Sequence, residues 1–415
     1  MINHLFAGTL TPSGFVDFFD NIMPIKNAKL RYYLKGSSGS GKATFMNKVA
    51  EHISEHYKHN YNNNHHHNNH NHNRNYKHNK IELFHCANDA KSIDAVAVPH
   101  LGLCILDATA PHSKDPQIPI AVDNIIDFAQ FLDKDKLQDQ TDHLKSLIHH
   151  KAIITKKAMG YLAAAGNVHL SEKVSLASTL KPGAITKAVK MIKETNLLTA
   201  PLINHGTTQD RQLSMDSTTQ NRQLFMDAIT PKGHISFAED YFEECRVYAI
   251  SSQVQIAAEQ FLNELYQLAQ SRNIKTQCFQ CPLDPLQIQY LHFPELDLAF
   301  AQASGVFGYK GRPYDTIDLS PCIDKCMYDR LKINQEPDLD VNPELDVNPE
   351  LGQEQEKEQG AENNTLNTLI SKATSILQSS KKIHDEIESI YLTALDTNAI
   401  DSMTKEFIDN MTKNL

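Results

Sequence analysis

The sequence predicts an α/β protein built from two tandem parallel-sheet units with added helices, the second unit degenerate. Three observations predict it. The chain carries an internal repeat. Its first unit contains a strand, a glycine-rich bend and a helix in that order. Its second unit has lost the bend.

The repeat shows first in Leu5-Phe6 followed by Thr11-Pro12-x-Gly14-x3-Phe18. It recurs as Leu224-Phe225 and Thr230-Pro231-x-Gly233-x3-Phe237, 219 residues later. Further on, Cys86-x2-Asp89-x3-Ile93-x5-Pro99-x-Leu101-x-Leu103 recurs as Cys281-x2-Asp284-x3-Ile288-x5-Pro294-x-Leu296-x-Leu298, now 195 residues later. The first copy is therefore 24 residues longer between the two blocks, most of which an Asn/His-rich stretch at about 58–79 explains.

The predicted organisation follows from these landmarks. Residues 1–205 form the first unit, with the Asn/His insertion as a disordered loop. Residues 206–222 are a connector, in which TTQDRQLSMDS is echoed by TTQNRQLFMDA. Residues 223–335 form the degenerate unit. Residues 336–364 read as an extended acidic linker. Residues 365–415 read as helices that pack on the second unit.

Within the first unit, Leu30–Lys35 is a short apolar run ending at Gly36. Thr44–His56 has helical spacing, with Phe45, Val49 and Ile53 on one face. Ile81–Cys86 and Leu101–Leu106 are further strand candidates. Strand–helix–strand order predicts parallel pairing through a crossover helix. The second unit repeats the order with Arg246–Ile250, Gln260–Ser271, Lys275–Phe279 and Leu296–Ala301. Two longer helical stripes, Asp142–Ala165 and Asn364–Leu395, read as packing helices, since neither has a strongly basic polar face.

The bend itself reads Gly36-Ser37-Ser38-Gly39-Ser40-Gly41-Lys42, which fits the P-loop pattern G-x-x-x-x-G-K. A loop leaving a strand must turn so that successive backbone N–H groups point at an anion. Glycines permit the dihedrals and clear the path for phosphate. The helix that follows adds its free N–H groups and its dipole. Lys42 supplies a point charge for the terminal phosphates. The predicted binding segment is thus Gly36, Ser37, Ser38, Gly39, Ser40, Gly41, Lys42, Ala43 and Thr44. Ala43 stands where the pattern has a Ser or Thr whose hydroxyl binds Mg²⁺. Thr44 leaves the helix at another angle, so weak or water-mediated Mg²⁺ binding is expected and hydrolysis is weakened.

Leu103-Cys104-Ile105-Leu106-Asp107 reads as an apolar strand ending in an acid that holds Mg²⁺ through water. Asp107 and Asp89 are the catalytic candidates, and Asp94, His112 and Asp115 are further groups near enough in sequence to polarise a water or an acceptor hydroxyl. Cap and turn roles compete for each. Opposite Asp107 the second unit has Gln302. Opposite the loop it reads from Ser251 to Glu259, with Ala257 or Ala258 at the lysine position. That site is not expected to hold a triphosphate.

Other signals weigh less. The tract around His65-His66-His67 offers opportunistic metal ligands. Cys278, Cys281, Cys322 and Cys326 resemble a four-thiolate zinc pattern, but Cys281 matches lone Cys86 and Cys278 falls in a strand. His384-Asp385-x-x-Glu388 reads by default as a solvated face.

These residues resemble an uncharacterised bacterial family of tandem P-loop ATPase-like proteins. The likeness rests on Phe6-Ala-Gly-x-x-Thr-Pro-x-Gly14-Phe15, the loop, and His85-Cys86-x-x-Asp89-x-x-Ser92-x-Asp94. It continues through Asp107-Ala-Thr-Ala-Pro-His112, Asp115-Pro116, Asp284-Pro285 and His384-Asp385-x-x-Glu388-x-x-Tyr391. The resemblance implies a P-loop NTPase fold and ATP binding. In the family both halves usually keep a P-loop, with Ser after the lysine, and this chain departs on both counts.

Composition bounds the rest. The formal net charge is -10, which argues against a nucleic-acid partner. No run offers the roughly 18 apolar residues of a membrane span. No export signal is seen and the seven cysteines are scattered, so a cytoplasmic protein with reduced thiols is expected. The expected ligand is a nucleoside triphosphate, ATP by preference, with Mg²⁺. The expected function is binding, with slow hydrolysis coupled to domain rearrangement. A small-molecule or nucleotide kinase and a non-catalytic regulatory module are the alternatives. A further protein or small-molecule partner is expected but unnamed by the residues.

Overall fold

The computed structural model describes residues 2–64, 80–194, 222–333 and 360–412. Most of the Asn/His tract, with its candidate metal ligands, lies outside the described residues, as do nearly all of the connector and most of the acidic linker.

The first unit runs β1 (Ile2–Leu5), β2 (Gly8–Thr11), β3 (Gly14–Asp17), α1 (Phe19–Ile22), β4 (Leu30–Lys35), α2 (Lys42–Asn64), β5 (Ile81–His85), β6 (Ile93–Val98), β7 (Leu103–Asp107) and β8 (Asp123–Asp127). Helices α3 (Lys134–Asp139), α4 (Thr141–Ala177) and α5 (Ala184–Glu194) follow. The second unit repeats the series as β9 (Arg222–Leu224), β10 (Asp227–Thr230), β11 (Gly233–Ser236), α6 (Ala238–Tyr241), β12 (Arg246–Ser251), α7 (Gln255–Ser271), β13 (Gln277–Cys281), β14 (Asp284–Phe293), β15 (Leu298–Gln302) and β16 (Asp315–Asp318). It ends with α8 (Lys325–Ile333), α9 (Gly360–Thr393) and α10 (Thr397–Thr412).

The two six-stranded sheets have the same order, β1-β5-β6-β7-β4-β8 and β9-β13-β14-β15-β12-β16. Registers agree as well: Leu34 faces Asp107, and Ile250 faces Gln302. The sheets are mixed, which corrects the expectation of wholly parallel pairing. β6 and β14 run antiparallel to both neighbours, whereas the other pairs are parallel. Each antiparallel strand forms a hairpin with the strand before it, so no crossover helix is needed there.

The repeated sequence signatures acquire local causes. Thr-Pro-x-Gly is a hairpin turn, in which Thr11 Oγ1 donates to Gly14 O and Thr230 Oγ1 to Gly233 O, both at 2.8 Å. Gly14 and Gly233 have φ of 123° and 103°, a region that β-carbon-bearing residues avoid. Pro-x-Leu is a 3-10 turn closed by a left-handed residue, Gly102 or Asp297.

One face of each sheet enters a shared core. Phe84, Ala95, Ala97 and Leu106 of the first sheet cluster with Phe279, Tyr290, Ala299 and Ala301 of the second. The units also join at their edges, where Phe6 and Phe225 exchange both backbone hydrogen bonds, at 3.0 and 3.1 Å.

The outer faces are covered by helices. Phe45, Val49 and Ile53 of α2 lie on Leu83, Val96 and Ile105. Phe261, Leu262 and Leu265 of α7 lie on Ile250, Leu291 and Phe300. Burying each such side chain stabilises the fold by about 1.5–3 kcal/mol. The remaining helices are exchanged between units. Helix α5, which follows the first unit, packs on α7 through Ile185, Val189 and Ile192. Helix α10, expected on the second unit, packs on the first: Ile400 joins Phe45 and Phe128 in one cluster. Helices α4 and α9 lie against each other, with Ala158, Leu162 and Ala165 meeting Leu366, Ile370 and Ala373. Among the described residues, no helix is long and apolar enough to cross a membrane.

Candidate functional site

Strand β4 delivers the glycine-rich loop at the edge of the sheet where Asp107 ends β7, and the two strands are paired neighbours. Gly36, Gly39 and Gly41 have φ of 151°, 73° and 88°. Such values need glycine, so the sequence sets the bend locally. Among the described residues, the loop amide of Ser40 bonds the Ser37 carbonyl, and Phe45 N–H bonds Gly41 O. No such bond is recorded from the amides of Gly39, Gly41, Lys42, Ala43 or Thr44. The Ser37 hydroxyl oxygen is buried without a partner.

Lys42 curls back over the loop. Its Nζ donates to Gly36 O at 3.0 Å and Ser37 O at 2.7 Å, and lies 3.5 Å from Asp107 Oδ2. Burial pulls its pKa down, opposed by Asp107, Asp94 and Glu388. Asp107 Oδ1 accepts from Thr109 N–H, and Thr109 Oγ1 donates to Gly36 O. Lys35 Nζ braces the same corner through the carbonyls of Ala108 and Lys114 and the carboxylate of Asp115. Ala43 packs against the α2 core, while Thr44 is exposed. Neither therefore offers a hydroxyl beside Asp107.

A second group of ionisable residues adjoins this corner. His112 Nδ1 meets Asp107 O at 3.0 Å, and its Nε2 lies 3.8 Å from Asp94. Burial pushes Asp94 up to about 6, with His112 opposing and Asp107 adding to the rise. Burial and Asp94 push the Cys86 thiol well above its ordinary range. Asp89 lies elsewhere: it caps Lys91 N–H and pairs with Lys381 of α9 at 3.1 Å. Burial opposes its ionisation, but Lys381 outweighs it and holds the carboxyl below its ordinary value.

Residues from the helices close the site, and sequence spacing alone did not place them there. A β-carbon at Gly39 would stand 2.6 Å from Glu388 O, and one at Gly41 would stand 2.8 Å from Ile400 Cδ1. Thus α9 and α10 sit directly on the loop. His384, read from sequence as a solvated face, is instead partly buried and meets Lys151 Nζ of α4 at 2.9 Å. Burial first, then Lys151 and Lys381, depress it to about 4. The motif His384-Asp385-x-x-Glu388 was the only sequence signal for this contact.

In the second unit, three residues, Ser252–Val254, replace the six of the glycine loop between strand and helix. Ala257 and Ala258 are fully buried in the α7 core. Among the described residues, no group of three or more His, Cys, Asp or Glu side chains is placed to hold a metal ion. Cys278, Cys281, Cys322 and Cys326 are all free.

No family model, curated protein or solved structure matches this chain.

Proposed function

We propose that the Gly36–Thr44 segment is a P-loop that binds a nucleoside triphosphate, ATP by preference. One observation carries the reading. A bend with three glycines at positive φ, unbonded amides and a buried, partnerless Ser37 hydroxyl surrounds an ammonium group held by two carbonyls, one carboxylate and, at 3.5 Å, the Ser40 hydroxyl. Such a site favours an anion that takes over the amides and draws Lys42 Nζ onto itself.

The residues fit phosphate better than they fit Mg²⁺. Asp107 is available to a hydrated ion, but Ala43 withholds the usual direct ligand. When bound, Mg²⁺ would neutralise the β- and γ-phosphates. Here Lys42 carries most of that task, and turnover is slow. Because α9 and α10 lie on the loop, nucleotide entry moves them, which couples binding to the position of helices shared by both units.

A second reading is phosphoryl transfer to a small-molecule acceptor. It is favoured by Asp94, whose carboxyl near 6 suits a general base beside Lys42 and Asp107.

The test is thermal unfolding with ATP, GTP and ADP, with and without Mg²⁺, on the protein and on Lys42→Ala. Saturation at 100 times Kd stabilises the folded state by about 2.7 kcal/mol. Lys42→Ala abolishes the shift, and Ala43→Ser makes it depend on Mg²⁺. Unchanged melting in saturating nucleotide overturns the proposal, and ADP release only with an added acceptor favours the kinase reading.

A further inference from the structure

The second unit keeps a cavity at the place where the first has its charged site. Gln302 is the register counterpart of Asp107, Gln289 of Asp94 and Cys281 of Cys86. His169 on α4 corresponds to His384 on α9, by the spacing that also relates Ile185 to Ile400. Gln302, Gln289, Cys281 and His169 line one cavity, with Gln287 and Phe307. It has room for roughly one or two waters in this state.

Polarity is reversed relative to the first site. There Lys42 of the sheet unit faces Glu388 of α9. Here Glu259 of α7 faces Lys173 of α4 at 2.6 Å, and Lys173 also holds Asp284 at 2.7 Å. With the loop cation gone, two buried carboxylates would stand uncompensated, and both positions carry amides instead. The loop lysine that would meet a phosphate has no counterpart here, since Ala257 or Ala258 stands at its position.

What the cavity offers can be read from the amide chain. Ser304 O accepts from Gln302 Nε2, which fixes that amide. Gln302 Oε1 then accepts from Gln287 Nε2 at 2.7 Å. Gln289 Nε2 is fixed by Phe307 O and Tyr290 Oη. The carbonyl oxygens of Gln287 and Gln289 are left without aligned partners, and so are both ring nitrogens of His169. These side chains are 1%, 2% and 5% exposed. Gln287 lies near His169 without an aligned bond. Leaving such groups unmet costs about 1–3 kcal/mol each.

We propose that this cavity binds a small molecule through a primary carboxamide. Its two N–H groups donate to Gln287 Oε1 and Gln289 Oε1, and its carbonyl accepts from the His169 ring N–H. Leu283, Val306 and Phe307 wall the remainder of the group. No residue of the first unit's glycine loop lines the cavity.

The test uses the full chain labelled with ¹⁵N at glutamine side chains and titrated with acetamide or N,N-dimethylacetamide. A ligand of this size is expected to bind in the millimolar range. Acetamide should give saturable shifts of the Gln287, Gln289 and Gln302 amide signals, in Lys42→Ala as well. Dimethylacetamide, which has no N–H, should give none. Gln289→Met should weaken acetamide at least tenfold. If that variant does not fold, His169→Gln serves the same purpose at the other side of the cavity. Equal shifts with both amides, or none that saturate, overturn the proposal and leave the cavity to water.

Discussion

Arg222 grips Glu82 through two hydrogen bonds, both 2.9 Å, across the boundary between the units. Their side chains are only 3% and 5% exposed. The same guanidinium donates to Asn21 O and Ile22 O, so its hydrogen-bonding capacity is largely met within the protein. Removing one partner leaves a buried charge uncompensated. Glu82→Gln and Arg222→Met are each expected to destabilise by about 3–5 kcal/mol in urea unfolding. The double replacement Arg222→Met with Glu82→Leu should recover much of that loss. Additive losses would show that the pair does not act as a unit.

Gly39 is where the loop meets α9. Alanine there adds a β-carbon 2.6 Å from Glu388 O, at a φ of 73°. Left-handed backbone costs roughly 1–2 kcal/mol for a non-glycine residue, before any clash. Gly39→Ala should lower stability by at least that amount and raise hydrogen exchange in the last turns of α9. Unaltered exchange there would mean that the helix does not rest on the loop.

Asp94 sets a pH dependence. Its folded carboxyl is raised from 3.8 to about 6 by burial. The folded state therefore holds its proton more tightly, and this contribution is full below 3.8 and lost as pH rises through 6. Above that, ionised Asp94 costs on the order of 3 kcal/mol. Asp94→Asn should thus be the more stable protein at pH 8 by up to that amount, with the difference shrinking towards pH 4. A gap that grows on acidification would reverse the assignment.

Ile400 links the end of the chain to the first sheet. It is 4% exposed among Phe45, Phe128 and their neighbours. Ile400→Ala should cost about 2–5 kcal/mol. Its exchange signature should also appear in α2, far earlier in the sequence. Loss of protection confined to α10 would argue against the exchange of helices.

The repeat and the glycine bend were legible because both are local. Thr11-Pro12-x-Gly14 encodes its own turn, and Gly36, Gly39 and Gly41 encode theirs. Strand β6 was not legible, since Ile93–Val98 is a short apolar run with no period to set its direction. Amphipathic spacing marked α9, and helical content at the C-terminus was expected, but spacing does not say which sheet a helix covers. That choice depends on shape matches such as Ile400 over Gly41. The contacts of Glu388, Lys151 and His384 were hidden for the same reason: each joins segments more than 200 residues apart. Asp89 and Asp94 are both candidates by nearness to Asp107 in sequence, yet the two diverge, Asp94 towards His112 and Asp89 towards Lys381.

The traded helices also bear on how the chain matures. The apolar face of α2 is made well before α10, which covers part of it. Non-local contacts of this kind slow folding and leave sticky surface waiting. The nascent first unit is accordingly the stage most exposed to aggregation, and the one where a chaperone has the most to shield.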